Sequence, residues 1–287
     1  MNIKLSIIIP AKNEALGLSQ TLPKLRKEWP ETEILVVDDG STDHTARVCE
    51  ANAVKIIPHP YNMGNGAAIK TGARAAKGAT LIFMDADGQH RPEDIHKLLN
   101  KLSEGYDMVV GARDTSGQAS IGRLAANTVY NNLASWMVRH KIDDLTSGFR
   151  AVRADKFKEF LHLLPNGFSY PTTCTIAFFR SGYAVSYIPI KAEKREGKSH
   201  IKIVRDGVRF LLIIFKIISL YSPLKIFFPL SAAHFALGVG YYMYTFITAE
   251  RFTNMSALLF TMAIFIFLIG LISEQITMLL YQKRGRE

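Results

Sequence analysis

The sequence has few cysteines, and its N-terminus lacks a signal-peptide pattern. Cys49 and Cys174 are the two cysteines in 287 residues, too few for a disulfide framework. The opening residues, MNIKLSIIIPAKNE, have neither the charged start nor the long apolar stretch of a secretory signal. We therefore expect the N-terminal part of the chain to fold in the cytoplasm.

Two nucleotide-binding motifs are also missing. The sequence contains no P-loop, and GNGAAI at 64–69 has Ile69 where a dinucleotide fingerprint requires its third glycine. No apolar strand directly precedes this stretch. Any nucleotide would therefore be held by side chains at strand ends and by a metal ion, not by a phosphate-wrapping loop.

Acidic residues are outnumbered by basic ones. The 35 Lys and Arg residues against 25 Asp and Glu give a formal net charge of +10, which suits a nucleic acid, an anionic lipid surface or a phosphate-bearing substrate. The basic residues beside the apolar C-terminal part are interleaved with aliphatic side chains, whereas binding of single-stranded nucleic acid requires stacking aromatics. This pattern argues against nucleic acid as the partner.

Short apolar runs alternate with helical patterns from the start to about residue 112. Runs of this continuous kind, separated by helices, indicate an α/β fold with a mostly parallel sheet covered on both faces. Residues 121–139 are predicted to be helical, and 143–190 to combine loops with strands around DDLTSGFRA and AVSYIPI. The five predicted strands of the first part are KLSIIIP, EILVVDD, VKIIPHP, ATLIFMDAD and YDMVVGARD.

Polar residues follow four of these predicted strands. Ligands of parallel sheets bind beyond the carboxyl ends of the strands, so these groups are expected to converge on one rim. Each group alone could equally be the start of a polar turn. The four groups are Pro10 to Glu14, Asp38 with Asp39, Asp85 to Gln89, and Arg113.

The stretch LIFMDADGQH places two carboxylates at the end of an apolar strand. Two such charges ~5 Å apart repel by ~3 kcal/mol at an effective dielectric constant of 20, so a cation is expected between Asp85 and Asp87. Gln89 supplies a neutral third oxygen from the same turn, and such a set of oxygen ligands suits a divalent cation. His90 suggests a softer metal, but no Cys or second His stands nearby, and the spacing excludes an EF-hand. The alternative is that the DG pair only makes a turn.

The last third of the sequence has the pattern of a membrane anchor. Residues 226–247 contain no Asp, Glu, Lys or Arg, and a second apolar stretch runs from about 257 to 281. Each stretch is long enough to cross a hydrocarbon core of ~30 Å at ~1.5 Å per residue. The short connection TAERFTN makes the two a hairpin, and the basic residues that flank them place both ends in the cytoplasm. Ala232, Ala236 and Gly240 predict a smooth face for close helix packing.

A basic stripe precedes the hairpin. Its residues recur at steps of 4, 3, 4 and 7, which places them on one face of a helix whose other faces are aliphatic and aromatic. We interpret this as a helix in the membrane interface; the alternative is a solvated face packed on the soluble domain. The predicted organisation is a domain over 1–198, a juxtamembrane helix over 199–223, and a hairpin with a basic tail over 224–287. The stripe consists of Lys198, Lys202, Arg205, Arg209 and Lys216.

An ordered series of motifs resembles one known family. The series strongly resembles the family 2 inverting glycosyltransferases of GT-A fold, in the dolichol-phosphate mannosyltransferase-like branch, over about residues 3–215. The hairpin resembles that of bacterial polyprenyl-phosphate glucosyltransferases. The motifs are IIIPAKNEA, VVDDGSTDHT, NMGNGAAIKTG, FMDADGQHRPEDI, VVGARD, DLTSGFRA and REGKSHIKIVRDG.

The resemblance implies a membrane enzyme that moves one sugar, with inversion, from GDP-mannose or a UDP-hexose to dolichyl or undecaprenyl phosphate at the cytoplasmic face of a bacterial or archaeal membrane. It implies Mg²⁺ or Mn²⁺ on Asp85, Asp87 and Gln89, and association of copies through the hairpin is compatible with it. Arg195 and Lys198 would bind the lipid phosphate. Donor phosphate contacts are expected from Arg113, Arg123 and Arg150. The implied donor-binding residues are Pro10, Ala11, Asn13, Glu14, Asp38, Asp39, Gly64 and Asp85.

Two departures from the family pattern concern the donor pocket. Many relatives have Lys where Asn65 stands, and many have an acidic residue where GFSYPTTCT has Pro171, Thr172 and Thr173. The identity of the sugar and base therefore stays open, as does a role for Asp144 as an acceptor-assisting group or a turn former. Rival hypotheses are a processive polysaccharide synthase, which would need a QxxRW motif and more spans, and a non-catalytic membrane scaffold, which predicts an incomplete metal site.

Overall fold

The computed structural model describes residues 4–113, 121–167, 169–191, 212, 215–216 and 218–281, and for 121–127 the backbone alone. The chain forms two compact units, Met1–Ile213 and Ile214–Glu287. The predicted boundary at 198 lies outside the described residues, whereas the predicted start of the hairpin at 224 coincides with the first residue of a long helix.

The first unit contains a seven-stranded sheet in the order β3-β2-β1-β4-β6-β5-β7. All neighbouring pairs are parallel except those of β6, which runs antiparallel to β4 and β5. The five strands predicted before residue 114 and the two predicted after it are therefore confirmed. The strands are β1 (Leu5–Ala11), β2 (Glu33–Asp38), β3 (Lys55–Pro58), β4 (Thr80–Phe83), β5 (Met108–Arg113), β6 (Arg150–Arg153) and β7 (Val185–Ile190).

Seven helices are described around this sheet. The predicted helix over 121–139 is confirmed, but 143–190 also contains two helices, α6 and α7, that the sequence prediction missed. The described residues of α7 from Tyr170 to Phe178 are all buried, so α7 has no polar face to produce a helical period. The helices are α1 (Ala15–Glu28), α2 (Thr45–Ala51), α3 (Asn65–Ala75), α4 (Asp94–Ser103), α5 (Ile121–Val138), α6 (Ala154–Glu159) and α7 (Tyr170–Arg180).

The core explains why the strand sequences are continuously apolar. Ile7, Ile8 and Ile9 of β1 are all fully buried, although successive side chains of a strand point to opposite faces. Both faces of the sheet are therefore covered. Helix α3 packs especially close to β1, since a Cβ on Gly72 would lie 2.4 Å from Cγ2 of Ile8. This packing holds the strand ends, and the loops that follow them, in fixed positions.

The second unit is a hairpin of α8 (Leu224–Ala249) and α9 (Asn254–Tyr281), both long and apolar enough to cross a membrane. Its buried small residues recur every seven positions along both helices, and the Ser231 hydroxyl donates to the Ala263 carbonyl at 2.8 Å. A Cβ on Gly270 would meet Cβ of Phe227 at 2.5 Å. The seam consists of Ser231, Gly238 and Thr245 on α8 and Ser256, Ala263, Gly270 and Thr277 on α9.

The predicted packing face of Ala232, Ala236 and Gly240 is not this seam. All three residues are exposed, and a Cβ on Gly240 would meet nothing within 4 Å. The seam has a step of seven because two nearly antiparallel helices keep contact at that period. The step of four in the sequence therefore identifies the outside of α8.

Glu274 connects α9 to the start of α8. Its carboxylate accepts hydrogen bonds from the Ser222 hydroxyl at 3.0 Å and from the Leu224 N–H at 3.2 Å. One turn along, the Thr277 hydroxyl donates to the Ser219 carbonyl at 2.8 Å. The polar side chains near this end of α9 thus satisfy backbone and hydroxyl groups of the segment that leads into α8.

Candidate active site

The loops after β1 and β2 are joined to each other. Ala11 and Asp38 pair at the ends of the two strands, and Asn13 takes a left-handed backbone conformation with φ of 55°. The Asn13 N–H donates to the Ser41 hydroxyl at 2.9 Å, and the Thr42 N–H donates to Oδ1 of Asn13 at 2.7 Å. These bonds bring the first two predicted groups together at one edge of the sheet.

A second set of bonds fixes the start of α1 on the same loop. The Ala15 N–H donates to Oδ2 of Asp43 at 3.1 Å, and the Glu14 N–H donates to the Thr45 hydroxyl at 3.2 Å. The Thr45 hydroxyl in turn donates to Oδ1 of Asp43 at 2.5 Å. The backbone of the PAKNEA stretch is therefore held by side chains of the GSTDHT stretch.

The carboxylate of Asp39 is engaged inside the protein. It accepts from the N–H groups of Met63 and Gly64, both at 2.8 Å, and pairs with Nδ1 of His59 at 2.8 Å. The other ring nitrogen of His59 bonds the Thr71 hydroxyl at 2.9 Å. Burial alone would raise the pKa of Asp39, but the hydrogen bonds from His59 and the two backbone groups outweigh it, and the net pKa is lowered.

The Asp38 carboxylate has one oxygen without a described donor, whereas both oxygens of Asp39 accept hydrogen bonds. Oδ1 of Asp38 accepts from the Ser41 N–H at 2.9 Å, and no described residue donates to its Oδ2. The sequence predicts Asp39 in the base and ribose pocket with Asp38 in support, and both roles stay predictions. Gly64, predicted to bind donor, lies against Asp39 with φ of 102°, and a Cβ there would meet the Asn166 carbonyl oxygen at 2.4 Å.

The acidic stretch after β4 forms a tight turn. Gly88 has φ of 76°, the Gln89 N–H donates to Oδ1 of Asp87 at 3.2 Å, and the Asp85 N–H donates to Nδ1 of His90 at 3.3 Å. The turn also packs closely on α1, since a Cβ on Gly17 would lie 2.2 Å from the Ala86 carbonyl oxygen. Asp85, Asp87 and Gln89 are all partly exposed.

His90 supports this turn from inside. Its ring is buried and stacks on Phe149 with a centroid distance of 4.7 Å. Burial lowers the pKa of His90, although the nearby charges of Asp85 and Asp87 oppose the shift. A neutral ring with Nδ1 as acceptor fits the bond from the Asp85 N–H. His90 therefore acts as a backbone support and does not complete a metal-binding set.

The donor set of the turn suits a hard divalent cation. Within the described residues, no group of three or more His, Cys, Asp or Glu is placed to hold a metal ion. Asp85 and Asp87 with the Gln89 amide would give two carboxylates and a neutral oxygen, which fits Mg²⁺ or Mn²⁺ completed by substrate oxygens. The Asp85 carboxylate has room because Gly148 stands beside it, where a Cβ would lie 3.1 Å from both oxygens.

Arg113, at the end of β5, is held in a fork by Asp144. Its Nε donates to Oδ2 of Asp144 at 2.8 Å, and one terminal nitrogen donates to Oδ1 at 3.2 Å and to the Thr146 hydroxyl at 2.8 Å. Burial would raise the pKa of Asp144, but the hydrogen bonds and charge of Arg113 outweigh it and lower the pKa. Asp144 is therefore a charged partner of Arg113, a role that its position in a loop did not reveal.

Arg150, predicted to contact phosphate, is placed differently. Its side chain is fully buried, and its guanidinium donates to the Ser147 carbonyl, to the Pro171 carbonyl at 3.2 Å and to the Thr175 hydroxyl at 3.3 Å. A guanidinium enclosed in this way does not reach a ligand on the rim. The missed helix α7 is the reason, because it covers the start of β6.

Comparison with known proteins identifies the family. Residues 6–161, more than half of the chain, match the family described as glycosyl transferase family 2. The chain belongs to this family. Residues 222–279 of this glycosyltransferase match a second description, the GtrB C-terminal hairpin, in agreement with α8 and α9.

Two curated relatives and one solved structure illustrate the likeness. The undecaprenyl-phosphate mannosyltransferase of Micrococcus luteus is 31% identical over 66% of this chain and 83% of its own length. The polyprenol monophosphomannose synthase of Mycolicibacterium smegmatis is 29% identical over 66% and 77%. Glucosyl-3-phosphoglycerate synthase from Mycobacterium tuberculosis, in complex with Mn²⁺ and UDP-glucose, has a TM-score of 0.60 at 20% identity, with 75% of this chain and 78% of that chain covered. The GT-A-like fold of the glycosyltransferase is thereby confirmed.

Three predicted site residues of the glycosyltransferase are not placed by side chain. Arg123 lies in α5, where the backbone alone is described. Arg195 and Lys198 lie outside the described residues, as do Lys202, Arg205 and Arg209 of the basic stripe. Their roles stay predictions.

Proposed function

We propose that this family 2 glycosyltransferase moves one sugar from a nucleotide-sugar donor to a polyprenyl phosphate, with inversion at the anomeric carbon. Both relatives compared above are named for the transfer of mannose to a polyprenyl phosphate. The chain also carries a hairpin long and apolar enough to enter the bilayer in which the prenyl chain of such an acceptor lies. The sugar and the base stay open.

The observation that carries the proposal is the meeting of two charged groups on one rim. The acidic turn follows β4, and Arg113, paired with Asp144, lies at the end of β5. Strand β6 lies between β4 and β5 in the sheet. The charges of both aspartates of the turn reach Arg113. A nucleoside diphosphate carries negative charge that needs cations on both sides, and this rim can offer a metal on one side and a guanidinium on the other.

In this scheme Asp85, Asp87 and Gln89 would hold Mg²⁺ or Mn²⁺ beside the donor. The ion would neutralise the charge that grows on the leaving diphosphate. An oxygen of the acceptor phosphate attacks the anomeric carbon, the bond from that carbon to the diphosphate oxygen breaks, and the nucleoside diphosphate leaves with the bonding electrons. Arg113 contacts this diphosphate, and Arg123 is proposed to do so from α5. A phosphate monoester with a second pKa of ~6 is already an anion at neutral pH, so no strong protein base is needed.

The donor base and ribose are proposed to lie over the joined loops of β1 and β2. Asp38 would face them with Oδ2, to which no described residue donates, while Asp39 holds the loop that carries Gly64. The backbone at Pro10, Ala11, Asn13 and Glu14 lines the same edge, which the bonds from Ser41, Thr42 and Thr45 keep in place.

The acceptor is proposed to arrive from the membrane. Arg195 and Lys198 would bind its phosphate, and the juxtamembrane helix predicted over 199–223 would lie in the membrane interface. Helices α8 and α9 would span the bilayer with both termini in the cytoplasm. The connection between α8 and α9 has one Glu and one Arg, whereas basic residues crowd the opposite ends. Association of copies through the hairpin stays a prediction.

The test is transfer with the full-length protein in detergent. The protein is incubated with Mn²⁺, undecaprenyl or dolichyl phosphate, and each of a panel of GDP- and UDP-sugars, and the lipid is analysed by mass spectrometry. We expect one sugar per lipid phosphate with one donor. Longer products would support a polysaccharide synthase instead, and donor binding with no transfer to any acceptor would support the non-catalytic scaffold.

A further inference from the structure

Among the residues that the structure describes, Arg150 is a buried cation with no ion-pair partner. Its side chain is fully excluded from solvent, and among the described residues no carboxylate lies within ion-pair distance. Its Nε has no hydrogen-bond partner, and its guanidinium lies 5.9 Å from the centroid of the Tyr170 ring. A buried charge of this kind costs several kcal/mol unless its neighbours satisfy it. Stability alone therefore does not favour an arginine here.

The guanidinium of Arg150 bonds both the segment that precedes β6 and helix α7. One terminal nitrogen bonds the Ser147 carbonyl, and the other bonds α7 at the Pro171 carbonyl and the Thr175 hydroxyl. The Ser147 hydroxyl donates to the Gly111 carbonyl at 2.7 Å, which ties the same residue to β5. The backbone at Ser147 is thus fixed from two sides.

Gly148 follows immediately and lies against the acidic turn. A Cβ at this position would lie 3.1 Å from Oδ1 and 3.1 Å from Oδ2 of Asp85. The Gly148 carbonyl faces the other way, toward the Tyr170 hydroxyl at 3.4 Å. The backbone of Gly148 therefore limits the space behind the Asp85 carboxylate. Its position is set by the contacts of Arg150 and Tyr170.

We propose that Arg150 and Gly148 are positioning residues, which fix the orientation of the Asp85 carboxylate for metal binding. The inference rests on the proposed function only in assigning Asp85 to the metal. Arg150 acts at a distance through the Ser147 carbonyl, and Gly148 acts by direct contact. Ligand orientation by such supporting groups is typically worth 10–100-fold in metal affinity.

The alternative role for Arg150 is to fill space between β6 and α7. Methionine would fill that space with similar reach and no donors. If packing is all that Arg150 supplies, Arg150→Met leaves the binding of metal unchanged. If Arg150 positions the backbone of Ser147 and Gly148, the same change loosens Ser147 and weakens metal binding. Arg150→Lys keeps the charge and part of the donor set, so it recovers some of the loss.

The experiment measures Mn²⁺ affinity of the full-length protein in detergent by electron paramagnetic resonance of free Mn²⁺, alone and with UDP or GDP. Gly148→Ala and Arg150→Met are expected to weaken Mn²⁺ binding ~10-fold or more. Arg153→Met on the same strand is the matched control, because that side chain is half exposed and pairs with Asp107 at 3.6 Å. The thermal midpoint of each variant is recorded in parallel.

The outcomes separate the two proposals. If Asp85→Ala binds Mn²⁺ as the wild type does, the proposed metal site is wrong. If Asp85→Ala loses Mn²⁺ but Gly148→Ala and Arg150→Met retain wild-type affinity, the positioning proposal alone is overturned. Should Arg150→Met fail to fold, Arg150→Lys decides for Arg150, since wild-type Mn²⁺ affinity in a folded Arg150→Lys would overturn its positioning role; Gly148→Ala tests the contact with Asp85 by itself.

Discussion

Arg113 and Asp144 form a forked ion pair at the rim of the sheet although they are 31 positions apart in the chain. Asp144 is buried, and Arg113 is about one third exposed on its side chain. The pair joins the end of β5 to the loop that returns toward β6. The Asp144 carboxylate holds the guanidinium in a fixed orientation through two hydrogen bonds, and the proposed diphosphate contact would be made from its other side.

Breaking this pair should destabilise the first unit and impair transfer. Removing one partner of a largely buried pair leaves an uncompensated charge, so Asp144→Asn should cost on the order of 3 kcal/mol. Asp143→Asn is the matched control, because the ion pair that Asp143 itself forms with Lys141 is exposed. The measurement is thermal unfolding combined with transfer rate; equal midpoints for the two variants would contradict the prediction.

The pH dependence of stability should report the same pair. The pKa of Asp144 is held below the ordinary value of ~3.9, so its contribution is present above that value and is lost as the pH falls through the folded-state pKa. We expect the thermal midpoint to stay level from neutral pH to about 5 and to fall below about 4. The fall should be shallower in Asp144→Asn than in Asp143→Asn.

Loss of Asp87 should abolish transfer without unfolding the protein. Asp87→Ala removes one of two carboxylates from a partly exposed turn, so activity should fall by at least ~10²-fold with little change in thermal midpoint. Chelation should have the same effect on the wild type. Asp155→Ala, which removes an exposed carboxylate of α6, is the control. Full activity of Asp87→Ala, or of wild type in excess chelator, would contradict metal dependence.

Asp38 and Asp39 should respond differently to substitution. Asp39→Ala leaves two backbone N–H groups and His59 without their partner, which should lower stability by about 1–3 kcal/mol. Asp38→Ala removes one hydrogen bond from Ser41, so its main effect should be a higher KM for the donor. Unfolding midpoints and donor titrations distinguish the two; a purely structural Asp38 would change the midpoint and not KM.

The hairpin seam should tolerate no larger side chain. Ala263→Leu adds volume where the residue is buried and its carbonyl accepts from Ser231, which should cost about 1–3 kcal/mol. Ala233→Leu makes the same change at an exposed position of α8 and should leave the thermal midpoint in detergent unchanged. Equal losses would mean that the small residues do not form the seam.

The sequence predicts those features that depend on short stretches. A continuous apolar run followed by carboxylates was enough to place Asp85 and Asp87 at a strand end. The roles that it missed depend on partners far away in the chain. The Asp39 carboxylate accepts hydrogen bonds from the backbone at 63 and 64, and the Asp144 carboxylate pairs with Arg113. Arg150 bonds α7, a helix that is buried on all sides and so shows no helical period of apolar residues.

The packing of the hairpin shows the same limit. Both helices contain many small residues, and the step of four at Ala232, Ala236 and Gly240 is as visible in the sequence as the step of seven that forms the seam. Which of them packs is decided by the facing helix, where a Cβ on Gly270 would meet Phe227. A single segment does not contain that information.

The reversed direction of β6 has a consequence for how relatives of this protein can diverge. β5 ends at the rim and β6 begins there, and the Gly111 N–H donates to the Phe149 carbonyl at 2.9 Å where the two meet. Because both ends of the connection between the two strands lie at one edge of the sheet, its length away from Asp144 and Gly148 can vary among relatives while the register of β5 and β6 is preserved.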